Sequence, residues 1–176
     1  MATTRSKTTV DKTDDTVAAP VEEQKKITPK DVDLTQFITV KNGFQGRLIY
    51  KSSRTGEKFI WDSFGAEQEL ELRELRNAKN SAKAFFANNW FMFDDDWVVD
   101  FLGVRQYYKH AIKLEDFDNI FKKTPAELKK VIGGLSAGQK KSVAYRAKEL
   151  ITAGEIDSIK TISALEDALG IELIEK

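Results

Sequence analysis

The sequence predicts an α+β fold, on three observations. RLIYKSSRTGEKFIW, residues 47–61, has two short runs rich in β-branched and aromatic residues around a polar, glycine-containing turn. The last third of the chain carries repeated helix start and stop signals. The first 33 residues are rich in Thr, Lys, Asp, Glu and Ala and contain no aromatic residue. Such a segment buries too little apolar surface to offset its ordering entropy, so residues 1–33 are expected to form a flexible, disordered tail. The expected organisation is this tail, an α+β region over 34–112 with a β-hairpin and an aromatic core packed on helices, and a helical subdomain over 113–176.

The elements follow in chain order. FITVKN, from Phe37, is short and β-rich, and Gly43 and Gly46 interrupt it. The hairpin is expected as Leu48–Lys51, a turn through Ser53–Gly56 and Lys58–Trp61, with Gly56 taking the left-handed position that closes such a turn. Asp62 and Ser63 read as a helix start, followed by a helix over AEQELELRELRNAKN with acids early and bases late, as the helix dipole favours. Ser81 is expected to restart the helix, with Ala82, Phe85 and Phe86 as its apolar stripe. Asn88-Asn89 ends it, and WFMF is a short extended run.

Asp94, Asp95 and Asp96 precede an apolar helical pattern containing Trp97 and Phe101, which is the position of a helix cap. A calcium loop needs ligands at alternating positions with a glycine, and three adjacent aspartates do not supply that spacing. The aromatics around them, Trp90, Phe91 and Trp97 among them, are assigned to the core.

In the last third, LEDFDNIF is expected as a short helix. Thr124-Pro125-Ala126-Glu127 is a capping box with proline at the first helical position, and Gly133-Gly134 ends its helix. Ser136 to Gln139 reads as a second box, opening a longer helix that Gly154 ends. Ser163 to Glu166 reads as a third, inside or at the start of a helix that carries Ile162, Leu165 and Leu169, with Gly170 as the stop, and IELIE is expected as a final short strand.

Composition excludes several roles. There is no cysteine, so disulfides and thiolate metal sites are ruled out. Lys plus Arg and Asp plus Glu both total 28, so the chain is not a general polyanion binder. No apolar run approaches the roughly 20 residues that span a bilayer, so no membrane partner is expected. His110 is the single histidine, and with no cysteine this leaves no pair for the common nucleophilic mechanisms. GLSAGQKKS lacks the phosphate-loop spacing and a leading strand, and reads as a capped helix start. The expectation is therefore a non-enzymatic chain with no cofactor and no metal site.

Two surface candidates remain. On the helix after Ser136, Lys141, Tyr145 and Lys148 fall opposite Val143 and Ala147, a basic line with one aromatic that could meet a partner protein or phosphates. Lys140 and Arg146 flank its apolar face. The hairpin turn supplies Arg54, with Lys51 and Lys58 beside it.

The segments GRLIYKSSRTGEKFIWDSFG, ELRNAKNSAKAFFANNWFMFDDDWVVDFLGVRQYYK and LSAGQKKSVAYRAKELITAGEIDSIKTISALEDALGIELIE resemble small uncharacterised virion-associated proteins of tailed bacteriophages, over roughly residues 40–175. The resemblance implies a structural or assembly accessory protein, in the virion or in the host cytoplasm during assembly. Its expected partners are other phage structural proteins, and a homo-oligomer is compatible with it. It carries no catalytic residue. The alternative is a nucleic-acid-binding regulator using the C-terminal helices as a helix-turn-helix-like unit.

Overall fold

The structure, a computed structural model, describes residues 32–174. It is α+β. Apart from Val32 and Asp33, the tail expected over 1–33 lies outside the described residues. The strands are β1 (Phe37–Asn42), β2 (Leu48–Lys51), β3 (Lys58–Trp61), β4 (Glu67–Glu71) and β5 (Phe91–Met92). The helices are α1 (Leu72–Ser81), α2 (Ala84–Ala87), α3 (Asp96–Leu102), α4 (Arg105–Tyr108), α5 (Pro125–Gly134), α6 (Ala137–Thr152) and α7 (Ile159–Leu169). Short 3-10 turns at Leu114–Asp116 and Asp118–Lys122 replace the helix expected for LEDFDNIF.

β1 is the centre of an antiparallel sheet ordered β4-β1-β5, and β2 and β3 form the hairpin beside it. The hairpin boundaries match those expected, with Leu48 opposite Trp61 and Lys51 opposite Lys58. Gly56 has φ +76, the left-handed conformation that closes the turn.

The helix expected from Asp62 onward is corrected by this sheet. Glu67–Glu71 is a strand, paired from Phe37↔Glu71 to Lys41↔Glu67. Glu, Gln and Leu are good helix formers, but the segment alternates. Leu70 and Leu72 are buried while Glu67 and Glu69 are exposed, and β1 supplies the ladder. The helix starts only at Leu72. Asp62 instead pairs with Arg47 at 3.3 Å. Ser81 closes α1 rather than opening a helix; its hydroxyl donates to the Asn77 carbonyl at 2.9 Å.

Phe91 sits at the middle of the aromatic cluster. Its ring lies 4.9 Å from Phe85, 5.4 Å from Trp61 and 5.5 Å from both Tyr50 and Phe86, centroid to centroid. It is fully buried, and Trp90 and Trp97 pack partly buried against the same cluster. Such aromatic pairs add to area burial.

The aspartates do not cap as expected. Asp95 occupies the N-cap position of α3 but its side chain makes no capping bond, and Asp96 is the first helical residue. Asp94 forms an ion pair with Lys41 at 2.7 Å, which ties the α3 entry to β1. Gly103 ends α3 in the left-handed conformation.

The C-terminal helices surround a second cluster, built from Ile112, Leu128, Ile132, Val143, Leu165 and their neighbours. The Thr124 capping box forms with both of its bonds. The second box forms by half: Ser136 accepts from the Gln139 N–H, while the Gln139 side chain goes elsewhere. The third takes the interior one of its two expected positions: Ser158 caps α7 and Ser163 lies inside it. No strand forms over the described part of IELIE; Leu173 is buried and its N–H donates to Glu166 at 2.8 Å.

Side chains fasten the hairpin to the rest. The Trp61 indole donates to the Val40 carbonyl at 2.8 Å, and the Gln68 amide donates to the Ile60 carbonyl at 2.8 Å. The Tyr50 hydroxyl donates to Glu74 at 2.7 Å. Glu74 is 2% exposed and also accepts from Asn77 and Arg54, each at 3.1 Å. Burial pushes its carboxyl up, but these donors together hold it below the ordinary value. Its charge therefore stabilises the fold above the usual carboxylate range, about pH 4.3, and that contribution is lost as pH falls through the lower folded value. Tyr50→Phe should cost about 1–3 kcal/mol at neutral pH. The difference from wild type should shrink as pH falls below the ordinary carboxylate range and Glu74 protonates in both proteins. Urea unfolding across pH checks this; a pH-independent difference would reject the role given to Glu74.

Candidate interaction surface

α6 is the element that joins the two clusters. Ser136 caps it, accepting the Gln139 N–H at 3.1 Å and donating to the Asn88 carbonyl at 3.2 Å. Gln139, 1% exposed, clasps one backbone residue. Its Oε1 accepts the Ile112 N–H at 3.1 Å and its Nε2 donates to the Ile112 carbonyl at 2.9 Å. Ser142, fully buried, donates to the Gly43 carbonyl at 3.0 Å and accepts the Gln45 N–H at 3.2 Å. Gly138 allows this approach: a Cβ there would lie 2.2 Å from the Asn88 carbonyl oxygen and 2.9 Å from the Trp90 indole nitrogen.

Asn42 holds the other side of the seam. Its buried amide donates to the Gly46 and Ser63 carbonyls at 2.7 and 2.8 Å, and its oxygen accepts the Phe44 N–H at 2.8 Å. The loops before β2 and after β3 are thereby fixed. From the second of them Phe64 reaches into the C-terminal cluster, 4.8 Å from Phe117.

With one flank buried in this seam, α6 turns Lys141, Tyr145 and Lys148 outward. All three are exposed, Tyr145 by 56%. The structure thus brings these expected residues onto one face. Neither lysine has an ion-pair partner among the described residues. Arg54 does not join them. It lies at the hairpin turn with its Nε 3.1 Å from Glu74, where it serves a buried carboxylate.

Tyr145 also stands at a groove of about 590 Å³ along the seam, walled by the Gln45–Gly46 and Asp62–Phe64 loops, the first 3-10 turn and α6. Arg146, expected beside the apolar face, crosses to Asp118 with two bonds of 3.0 and 2.7 Å and meets Glu149 at 3.2 Å. The pairing holds the Asp118 carboxyl below its usual value and raises the guanidinium. Sequence reasoning missed the seam residues Asn42, Gln139 and Ser142 as connectors. The signal was a Gln in a capping position with a Gly and a Ser on the same helix face, which alone does not name a partner.

Among the described residues there is no group of three or more His, Cys, Asp or Glu side chains placed to hold a metal ion, and no helix long and apolar enough to cross a membrane. His110 is exposed, with its side chain close to Gly134. Comparison with protein families, with curated proteins and with solved structures finds no match.

Two glycines on successive helices test the seam. Gly138→Ala should destabilise by about 1–3 kcal/mol, because a methyl has no room against Asn88. Gly133→Ala, on α5 with open space around it, should stabilise by up to about 1 kcal/mol. Denaturant midpoints of the two variants check the contrast; equal, small effects would mean that the seam does not hold in solution.

Proposed function

We propose that the chain is a non-enzymatic structural or assembly accessory protein of a tailed-bacteriophage particle, working through protein–protein contacts in the virion or in the host cytoplasm during assembly. The observation that carries this reading is the outer face of α6. A tyrosine more than half exposed stands between two lysines on a helix whose other flank is pinned by buried hydrogen bonds. A rigid aromatic anchor with charged flanks loses little entropy when a partner covers it, and aromatic residues dominate the binding energy of protein interfaces. The resemblance of residues 40–175 to phage virion-associated proteins supports the same reading.

The nucleic-acid-binding alternative needs a recognition helix that offers its N-terminal residues to base edges. Of the first six residues of α6, Gly138, Gln139 and Ser142 are buried in the seam, which leaves Ala137, Lys140 and Lys141 to meet a base edge. The formal net charge of zero also gives little drive toward a polyanion.

Changing Lys141, Tyr145 and Lys148 together to Glu, Ser and Glu tests the proposal. The variant should fold with a melting temperature close to wild type, since surface substitutions usually change stability by about 0.5 kcal/mol or less. Mass spectrometry of purified particles should find the wild-type chain and not the variant. Tight, steeply salt-dependent duplex binding by wild type, lost in the variant, would overturn the proposal in favour of the regulator.

A further inference from the structure

Among the described residues, the hairpin has one covered edge and one open edge. In an antiparallel pair, successive residues point their N–H and C=O groups alternately toward the partner strand and away from it. The Ser52 N–H donates to the Glu57 carbonyl at 2.8 Å, so Tyr50 and Leu48 also face β3, while Ile49 and Lys51 direct their backbone groups outward. On β3 the outward carbonyl of Ile60 is taken by the Gln68 amide from β4. On β2 no strand is paired to the outer edge among the described residues.

Among the described residues, nothing covers the side chains on the hairpin's outer face. Ile49 is 50% exposed and lies opposite the partly buried Ile60. Next to this pair, Lys51 and Lys58 lie directly opposite each other, both exposed, with no carboxylate at ion-pair distance among the described residues. Like charges directly across a strand pair destabilise it. A bound carboxylate between them would convert that repulsion into attraction.

We infer that the outer edge of β2 accepts an extended acidic segment of a partner protein as an added strand. Main-chain bonds to Ile49 and Lys51 supply the pairing, Ile49 and Ile60 supply an apolar contact, and the lysine pair selects glutamate or aspartate. A second copy of the chain is disfavoured, because two such edges would bring four lysines together. The inference rests on the reading of the chain as a protein of protein–protein contacts, and adds a second contact surface with a defined partner chemistry.

The test uses the full chain and a synthetic peptide of about eight residues alternating Glu and Val, with a Lys–Val peptide of the same length as control. Saturation with the Glu–Val peptide should slow amide hydrogen exchange at Ile49 and Lys51, and the Lys–Val peptide should not. Lys51→Glu with Lys58→Glu should weaken binding about tenfold. Lys51→Gln with Lys58→Gln gives the same reading should the first variant not fold. Unprotected Ile49 and Lys51 amides at saturating Glu–Val peptide, equal binding of both peptides, or displacement of the peptide from this edge by DNA at lower concentration would each overturn the inference. The outcomes separate from those of the functional reading. A wild-type chain missing from particles defeats that reading whatever the peptide does. A chain found in particles whose β2 edge ignores the peptide defeats only this inference.

Discussion

The arrangement depends on a close approach of backbone to backbone at Gly138. There the first turn of α6 lies against the Asn88 carbonyl, with no room for a side chain. That contact brings Ser136, Gln139 and Ser142 within reach of Asn88, Ile112, Gly43 and Gln45. Backbone groups in these irregular segments lack the partners that a helix or sheet would provide. Buried without partners they would cost about 1–3 kcal/mol each. Side chains from the first two turns of α6 and its cap satisfy them, so α6 works as the connector between a β-rich body and a helical one.

The external features follow from that placement. Because the inner flank of α6 is spent on the seam and on Val143, Ala147 and Leu150, the Lys141–Tyr145–Lys148 face can only be outward. Because Asn42 fixes the loops at either end of the hairpin, the hairpin is held by its base, by Trp61 and by the Tyr50–Glu74 bond. Among the described residues its β2 edge is left free. The two proposed contact surfaces thus belong to two differently anchored elements, a helix and a strand edge.

Much of this fold was legible where local chemistry decides the outcome. The hairpin was readable from alternation and a turn glycine, and the α5 start from a complete capping box with proline. β4 was not, since Glu, Gln and Leu favour a helix locally and only the ladder to β1 reveals the period-two burial of EQELEL. The Asp94–Asp96 run misled for a similar reason: the preference of aspartate for caps is local, whereas Asp94 answers to Lys41, far away in sequence. For the surface, amphipathic spacing was enough to place Lys141, Tyr145 and Lys148 outward. The pairing of Arg54 was not legible, because its partner, the buried Glu74, carries no mark in sequence that separates it from the other acids of that segment. The Asp118 partner of Arg146 lies 28 residues away and was equally unmarked.

The central claim is that the seam makes the two bodies one cooperative unit. Differential scanning calorimetry of the full chain measures this directly, through the ratio of the calorimetric to the van't Hoff enthalpy. The account predicts a single transition with a ratio close to one, and Gly138→Ala separating it into two. Two independent transitions in the wild-type protein would contradict it.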